Sequence, residues 1–86
     1  MYQVVFTSKA KKSLERIDKK QVIMIMAWIS KNLIDTANPR KEGKALKGKY
    51  QSLWRYRIGN YRILASIEDQ ELLILLVEIG HRRKIY

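Results

Sequence analysis

Residues 53–64 read LWRYRIGNYRIL, a pattern that predicts a β-hairpin. Apolar and polar residues alternate on both sides of Gly59-Asn60, which indicates two β-strands joined by a two-residue loop. Glycine stands at the first central position, as a type II′ turn prefers. A two-residue loop fixes the strand register, and the facing pairs share one side of the sheet. The predicted pairs are Ile58 with Tyr61, Arg57 with Arg62, Tyr56 with Ile63, and Arg55 with Leu64.

The predicted hairpin has one apolar face and one arginine face. Arg55, Arg57 and Arg62 stand together on the arginine face, although like charges facing each other cost a few tenths to about 1 kcal/mol. Two interpretations remain open. The arginines form either a solvated basic strand face or an edge defended against aggregation, or else they form an anion site whose guanidinium groups are held convergent by the sheet.

The N-terminal half predicts a strand at 2–6 followed by two helices. Thr7 or Ser8 caps the first helix, and Asp18 or Lys19 begins the second. Pro39 and the residues before it end the second helix. The apolar positions recur at helical spacing: Ala10, Leu14 and Ile17 in the first helix, and Val22, Ile25, Met26, Ile29 and Leu33 in the second.

The C-terminal half predicts a basic loop at 40–50 and strands near 52–58, 61–67 and 72–79. The last strand is almost entirely apolar, as expected for a strand in the interior of a sheet. The fold class is therefore α+β in a single domain, residues 1–86: an N-terminal strand, two helices, then a three-strand antiparallel meander, with the helices packed on one face.

Composition limits the function classes. The chain has 18 Lys and Arg residues against 8 Asp and Glu, a formal net charge of +10, which favours polyanionic partners. Without cysteine and with a single histidine, neither a metal site nor a cofactor is expected. The apolar runs are too short for a secretory signal or a membrane span, so a soluble cytoplasmic protein without a membrane partner is predicted.

The chain resembles the RelE family of toxins from type II toxin–antitoxin systems, within the RelE/ParE superfamily. The resemblance covers nearly the whole chain. It rests on the order of elements, on LKG at 46–48, on the hairpin itself, on EDQE at 68–71, and on an apolar strand that ends in GHRRKIY at 80–86. It implies a ribosome-dependent endoribonuclease that cuts messenger RNA in the decoding site. The 2′-hydroxyl attacks the adjacent phosphate without a metal ion, and a cognate antitoxin restrains the toxin.

The resemblance also implies site residues. Arg55 and Arg57 stand where the family has basic residues on the first hairpin strand. Arg57 and Arg62 would hold the scissile phosphate, Arg82 would support the leaving oxygen, and Tyr86 would stack on a base or orient the 2′-hydroxyl. RelE itself has lysines where Arg55 and Arg57 stand, so the general base stays open between His81, Glu78 and an arginine.

Other basic residues have two readings, as solvated surface or as contacts to ribosomal RNA phosphates: Lys44, Lys47, Lys49, Lys9 and Lys12. Trp28 and Trp54 are expected in the core, and the toxin is expected to be monomeric alone and oligomeric with its antitoxin.

Two rival functions remain. One is a ParE-like toxin that poisons DNA gyrase, and the other is a basic RNA-binding module without chemistry.

Overall fold

The computed structural model describes residues 1–84 of the chain. The elements follow one another as β1 Gln3–Phe6, α1 Ser8–Glu15, α2 Lys19–Asn32, β2 Lys44–Ala45, a 3₁₀ turn Gly48–Tyr50, β3 Trp54–Ile58, β4 Tyr61–Glu68 and β5 Leu73–His81. The α+β class and the order of strands and helices are therefore confirmed.

The hairpin forms in the register that the sequence predicts. All four expected pairs are present, with Arg57 directly opposite Arg62. Gly59 has a positive φ of 57° and Asn60 does not, which is the pattern of a type II′ turn. The turn chemistry thus places the arginines on one face of the sheet.

The five strands form one mixed sheet in the order β1-β5-β4-β3-β2. The apolar strand β5 lies in the interior, parallel to β1 and antiparallel to β4. Strand β2 was not predicted, because it lies inside the segment expected to be a loop. Its two residues pair Lys44 with Arg55 and Ala45 with Trp54.

Both helices begin at the predicted caps. The Thr7 side chain accepts the Ala10 N–H, and the Asp18 carboxylate accepts the Lys20 N–H, which satisfies donors that a helix start leaves unpaired. Ile25, Ile29 and Leu33 are buried, whereas Met26 is exposed and leaves the predicted apolar stripe. Within residues 1–84, no helix is long and apolar enough to cross a membrane.

One core cluster lies between the helices and the inner face of the sheet. Trp28 and Trp54 pack against it as expected, and the Trp28 and Tyr56 ring centroids are 5.5 Å apart. Its buried members are Ala10, Ile25, Ile29, Leu33, Tyr56, Ile58, Ile63, Ala65, Ile74, Leu76 and Ile79.

A β-bulge interrupts the pairing of β4 with β5. Leu64 pairs with Glu78 and Ala65 pairs with Leu76, so Val77 is an extra residue in β5. The Thr7 hydroxyl lies 2.9 Å from the Leu76 carbonyl oxygen and 3.0 Å from that of Val77, and donates to this pair. The bulge reverses the alternation of side chains beyond Val77, which decides where the end of β5 points.

The segment before β3 is held down by polar contacts. The Tyr56 hydroxyl donates to the Pro39 carbonyl at 2.6 Å, and burial raises the pKa of this tyrosine to about 12. The Arg40 guanidinium donates two 3.0 Å hydrogen bonds to Asp69, which also accepts from the Tyr2 hydroxyl at 2.6 Å. The predicted basic loop is therefore an ordered segment attached to the far end of the sheet.

Gly43 and Gly48 make a matched pair for testing how this segment is packed. Both have positive φ, 88° and 65°, but a Cβ at Gly43 would lie 2.4 Å from the Arg55 carbonyl oxygen, whereas one at Gly48 would meet nothing within 4 Å in residues 1–84. Gly48→Ala is expected to lower the free energy of unfolding by about 1 kcal/mol and Gly43→Ala by about 3 kcal/mol or more. Urea unfolding measures both, and equal losses would contradict the close approach.

Asp69 makes stability depend on pH. Its hydrogen bond from Arg40, followed by that from Tyr2, lowers the pKa of the carboxyl below its ordinary 3.8. A carboxyl group whose pKa is lower in the folded state than in the unfolded state stabilises the fold at pH values above the unfolded-state pKa. This stabilisation is lost as the pH falls through the folded-state pKa. Wild type is therefore expected to exceed Asp69→Asn in urea stability at pH 7 and to lose this advantage progressively below about pH 4. Glu71→Gln controls for the removal of one negative charge on the same turn.

Candidate anion site

Four arginines gather at one end of the outer sheet face, near the hairpin turn. Arg57 and Arg62 face each other across β3 and β4, and Arg55 is two residues from Arg57 on the same face. Arg82 follows β5, and its backbone N–H donates to the Asn60 carbonyl at 2.8 Å. This bond ties the segment after β5 to the turn, so that Arg82 joins the three hairpin arginines. We call these four residues the arginine cluster.

Arg62 is the central member of the cluster. Its side chain is partly buried, and within residues 1–84 its Nε is shielded from solvent without a hydrogen-bond partner. Loss of hydration lowers the pKa of the guanidinium, and the charges of Arg55, Arg57 and Arg82 lower it further. Such a group is stabilised by an anion that supplies both an acceptor and a negative charge.

Lys44 extends this positive surface. It pairs with Arg55 across β2 and β3, so the two side chains share a face. Beside them is an open pocket of about 220 Å³ lined by Trp28, Glu42, Gly43, Lys44, Arg55 and Arg57. The cluster is therefore an accessible surface that a phosphate chain can approach.

His81 and Glu78 lie away from the cluster. His81 pairs with Tyr61, whose side chain packs against the core on the helix side, so His81 faces the opposite side from Arg62. Glu78 stands at the bulge, where its carboxylate is 3.4 Å from the Lys9 ammonium of α1. Neither predicted candidate for the general base is brought to the arginines.

The chain matches known toxins over almost its full length. The family model for the ParE toxin of the type II toxin–antitoxin system, parDE, matches residues 4–86. The chain belongs to this toxin family. Among curated proteins, Toxin RelG of Mycobacterium tuberculosis is 26% identical over 85 residues, which are 99% of this chain and 95% of that protein. Toxin RelE of the same organism is 27% identical, covering 99% and 86% respectively.

Solved structures agree with this assignment. The crystal structure of the toxin–antitoxin complex RelBE2 from Mycobacterium tuberculosis contains a chain that is 25% identical, with a TM-score of 0.85 over 94% of this toxin and 91% of that chain. Isolated RelE from E. coli has a TM-score of 0.75 at 17% identity, covering 94% and 84% respectively, and shows the fold alone. The resemblance to RelE toxins of the RelE/ParE superfamily is thus confirmed.

The remaining predicted site residues of the toxin are dispersed. Lys47 and Lys49 are exposed at the 3₁₀ turn, where the Lys49 ammonium is 5.2 Å from the centre of the Tyr50 ring. Lys9 and Lys12 lie on α1, in a groove with Glu78. Tyr86 lies outside the described residues, so its predicted role stays a prediction.

The cluster's chemistry follows from its geometry. Guanidinium groups present planar pairs of donors that match phosphate oxygens, and they remain charged at neutral pH. Held on a sheet above a packed core, they need little reorganisation when negative charge develops in a transition state. All the charges that lower the pKa of Arg62 come from arginines, so this surface is suited to binding an anion.

Proposed function

We propose that this toxin is a ribosome-dependent endoribonuclease that cleaves messenger RNA in the decoding site. The observation that carries this proposal is the arginine cluster, in which the Nε of a partly buried Arg62 has no hydrogen-bond partner among the described residues and lies among three other guanidinium groups. The named relatives, toxins RelG and RelE, support the same reading. A stabilising role for the cluster is disfavoured because facing like charges destabilise a sheet.

In the proposed reaction, the ribose 2′-oxygen attacks the adjacent phosphorus and the bond to the 5′-oxygen breaks. The products are a 2′,3′-cyclic phosphate and a 5′-hydroxyl. Arg57 and Arg62 bind the non-bridging oxygens and stabilise the pentacoordinate dianion, with Arg55 contributing from the same strand. Arg82, attached to the hairpin turn, supports the negative charge that develops on the leaving oxygen.

Solvent water accepts the proton of the 2′-hydroxyl and protonates the leaving 5′-oxygen, because His81 and Glu78 lie away from the cluster and the guanidinium groups stay protonated. A dense positive charge lowers the free energy of the 2′-alkoxide, so the cluster itself favours deprotonation. Arginine substitutes here for the more readily deprotonated lysine. We therefore assign the cluster to charge stabilisation and Tyr86 to orienting the 2′-hydroxyl or stacking on a base, with no metal ion required.

The proposed partners follow from charge and from the relatives. A cognate antitoxin is proposed because the similar M. tuberculosis structure is a toxin–antitoxin complex. The ribosome is proposed as the second partner in the cytoplasm, with Lys44, Lys47 and Lys49 on ribosomal RNA phosphates. Because such contacts release counterions, binding to ribosomes is expected to weaken steeply as salt rises.

Poisoning of DNA gyrase is the rival function, and the family's ParE description favours it. Induced expression of the toxin separates the two. Primer extension on cellular messages should show cuts confined to translated regions if the toxin is a ribosome-dependent nuclease. Arrested replication with intact messages would instead support the ParE-like function and would overturn our proposal.

A further inference from the structure

A second groove lies on the helix side of the sheet, between α1 and the end of β5, and its lining within residues 1–84 has four Lys or Arg residues against the carboxylates of Asp18 and Glu78. Two adjoining pockets of about 350 and 340 Å³ form it and share Ser13, Arg16 and Glu78. Pockets of this size accept small organic groups. Lys9, Lys12 and Ser13 of α1 and its C-cap residue Arg16 line the groove from one face of the helix. Lys84 lines the opposite end.

An aromatic pair stands at this end of the groove. The centroids of the Tyr61 and His81 rings are 5.6 Å apart in an edge-to-face arrangement. Both residues line the groove. The His81 Nδ1 accepts the backbone N–H of Arg83 at 3.2 Å. In the neutral ring the proton is then on Nε2, which remains available as a donor. Aromatic rings beside cations are the combination with which proteins bind single-stranded nucleic acid.

The groove and the arginine cluster meet at the end of the sheet. Tyr61 precedes Arg62, and His81 precedes Arg82, so each groove residue is the neighbour of a cluster residue. Adjacent strand residues point to opposite faces of the sheet. A strand of RNA that leaves Arg62 therefore reaches Tyr61 and His81 by passing around this end of the sheet.

We propose that the α1–β5 groove is a second nucleotide subsite, which binds the nucleotide next to the phosphate held by the arginine cluster. The base lies against the Tyr61–His81 pair, and Arg16 and Lys84 contact its flanking phosphate. This inference rests on the proposed nuclease function. It reassigns His81 from proton transfer to base binding and gives Arg16 a role in substrate selection.

The test uses oligoribonucleotides of increasing length. Their 2′-O-methyl groups prevent the 2′-oxygen from attacking the adjacent phosphorus, so the oligonucleotides bind without being cleaved. Binding of one to four nucleotides to the purified toxin is measured by calorimetry at low salt. A single 3′-phosphorylated nucleotide should occupy the cluster, and each further nucleotide that stacks should raise affinity about tenfold. Arg16→Glu and His81→Ala should remove this increase while leaving affinity for the mononucleotide within twofold.

Two further variants make the result decisive. Lys11→Glu makes the same charge change as Arg16→Glu on α1, but Lys11 does not line the groove, so it should keep the length dependence. His81→Phe should restore the increase lost in His81→Ala, which a proton-transfer role would not allow. The subsite would be overturned if the affinity of the wild type did not rise with oligonucleotide length. It would also be overturned if Arg16→Glu and Lys11→Glu lost this rise equally. An unchanged mononucleotide affinity in Arg62→Ala would overturn the cluster itself, whichever result the groove gives.

Discussion

Arg62→Ala is expected to reduce cleavage of messenger RNA on the ribosome by at least about a hundredfold, which is the effect of removing one preorganised donor to a developing oxyanion. Arg62 has the shielded Nε and lies among the other three arginines. Replacing Arg62 by alanine therefore removes both the planar hydrogen-bond donors of its guanidinium group and the central positive charge of the cluster. Single-turnover cleavage of a ribosome-bound message, analysed by primer extension, measures the effect directly.

Two matched variants separate chemistry from charge and folding. Arg62→Lys keeps the charge but loses the planar fork, so its activity should lie between those of Arg62→Ala and wild type. Lys11→Ala removes one positive charge from a surface remote from the cluster and should cleave at the wild-type rate. Antitoxin affinity and urea stability of Arg62→Ala should remain close to wild type. A fully active Arg62→Ala protein would refute the assignment of the cluster.

The three hairpin members of the arginine cluster were predictable because their geometry is local. A two-residue loop leaves the hairpin essentially one register, so the positions of Arg55, Arg57 and Arg62 follow from the turn and from strand alternation. The interior position of β5 was likewise predictable from its apolar composition. These features need no information about distant parts of the chain.

The position of His81 was not predictable, because it depends on the bulge at Val77. Without that extra residue, simple alternation from Leu76 would put His81 on the arginine face. The bulge is held by Thr7, about seventy positions away in sequence, and nothing in LLILLVEI marks it. One unpaired residue thus moves the only histidine from the proposed reaction centre to the groove.

Strand β2 was missed for a related reason. It has two residues, too few for a periodic pattern, and it pairs with β3 where Gly43 closely approaches the backbone of Arg55. The Trp54 indole N–H also donates to the Glu42 carbonyl at 2.7 Å. Tertiary contacts, and not strand propensity, therefore bring Lys44 beside the arginine cluster.

Ile25→Ala is expected to lower the free energy of unfolding by about 2–5 kcal/mol. Ile25 is fully buried against the sheet, so the substitution removes apolar contacts and leaves a cavity. A domain of this size has only about 5–15 kcal/mol of stability in total. The variant should therefore unfold at much lower urea concentration, followed by circular dichroism at 25 °C.

Ile23→Ala is the matched control, since it makes the same change two residues away on the same helix. Ile23 is 65% exposed whereas Ile25 is 0% exposed, so the control should change stability by no more than about 0.5 kcal/mol. Equal losses at the two positions would mean that α2 does not pack on the sheet through Ile25. The arginine cluster would then lack the rigid core that holds it, because four mutually repelling guanidinium groups converge only when the strands beneath them cannot separate.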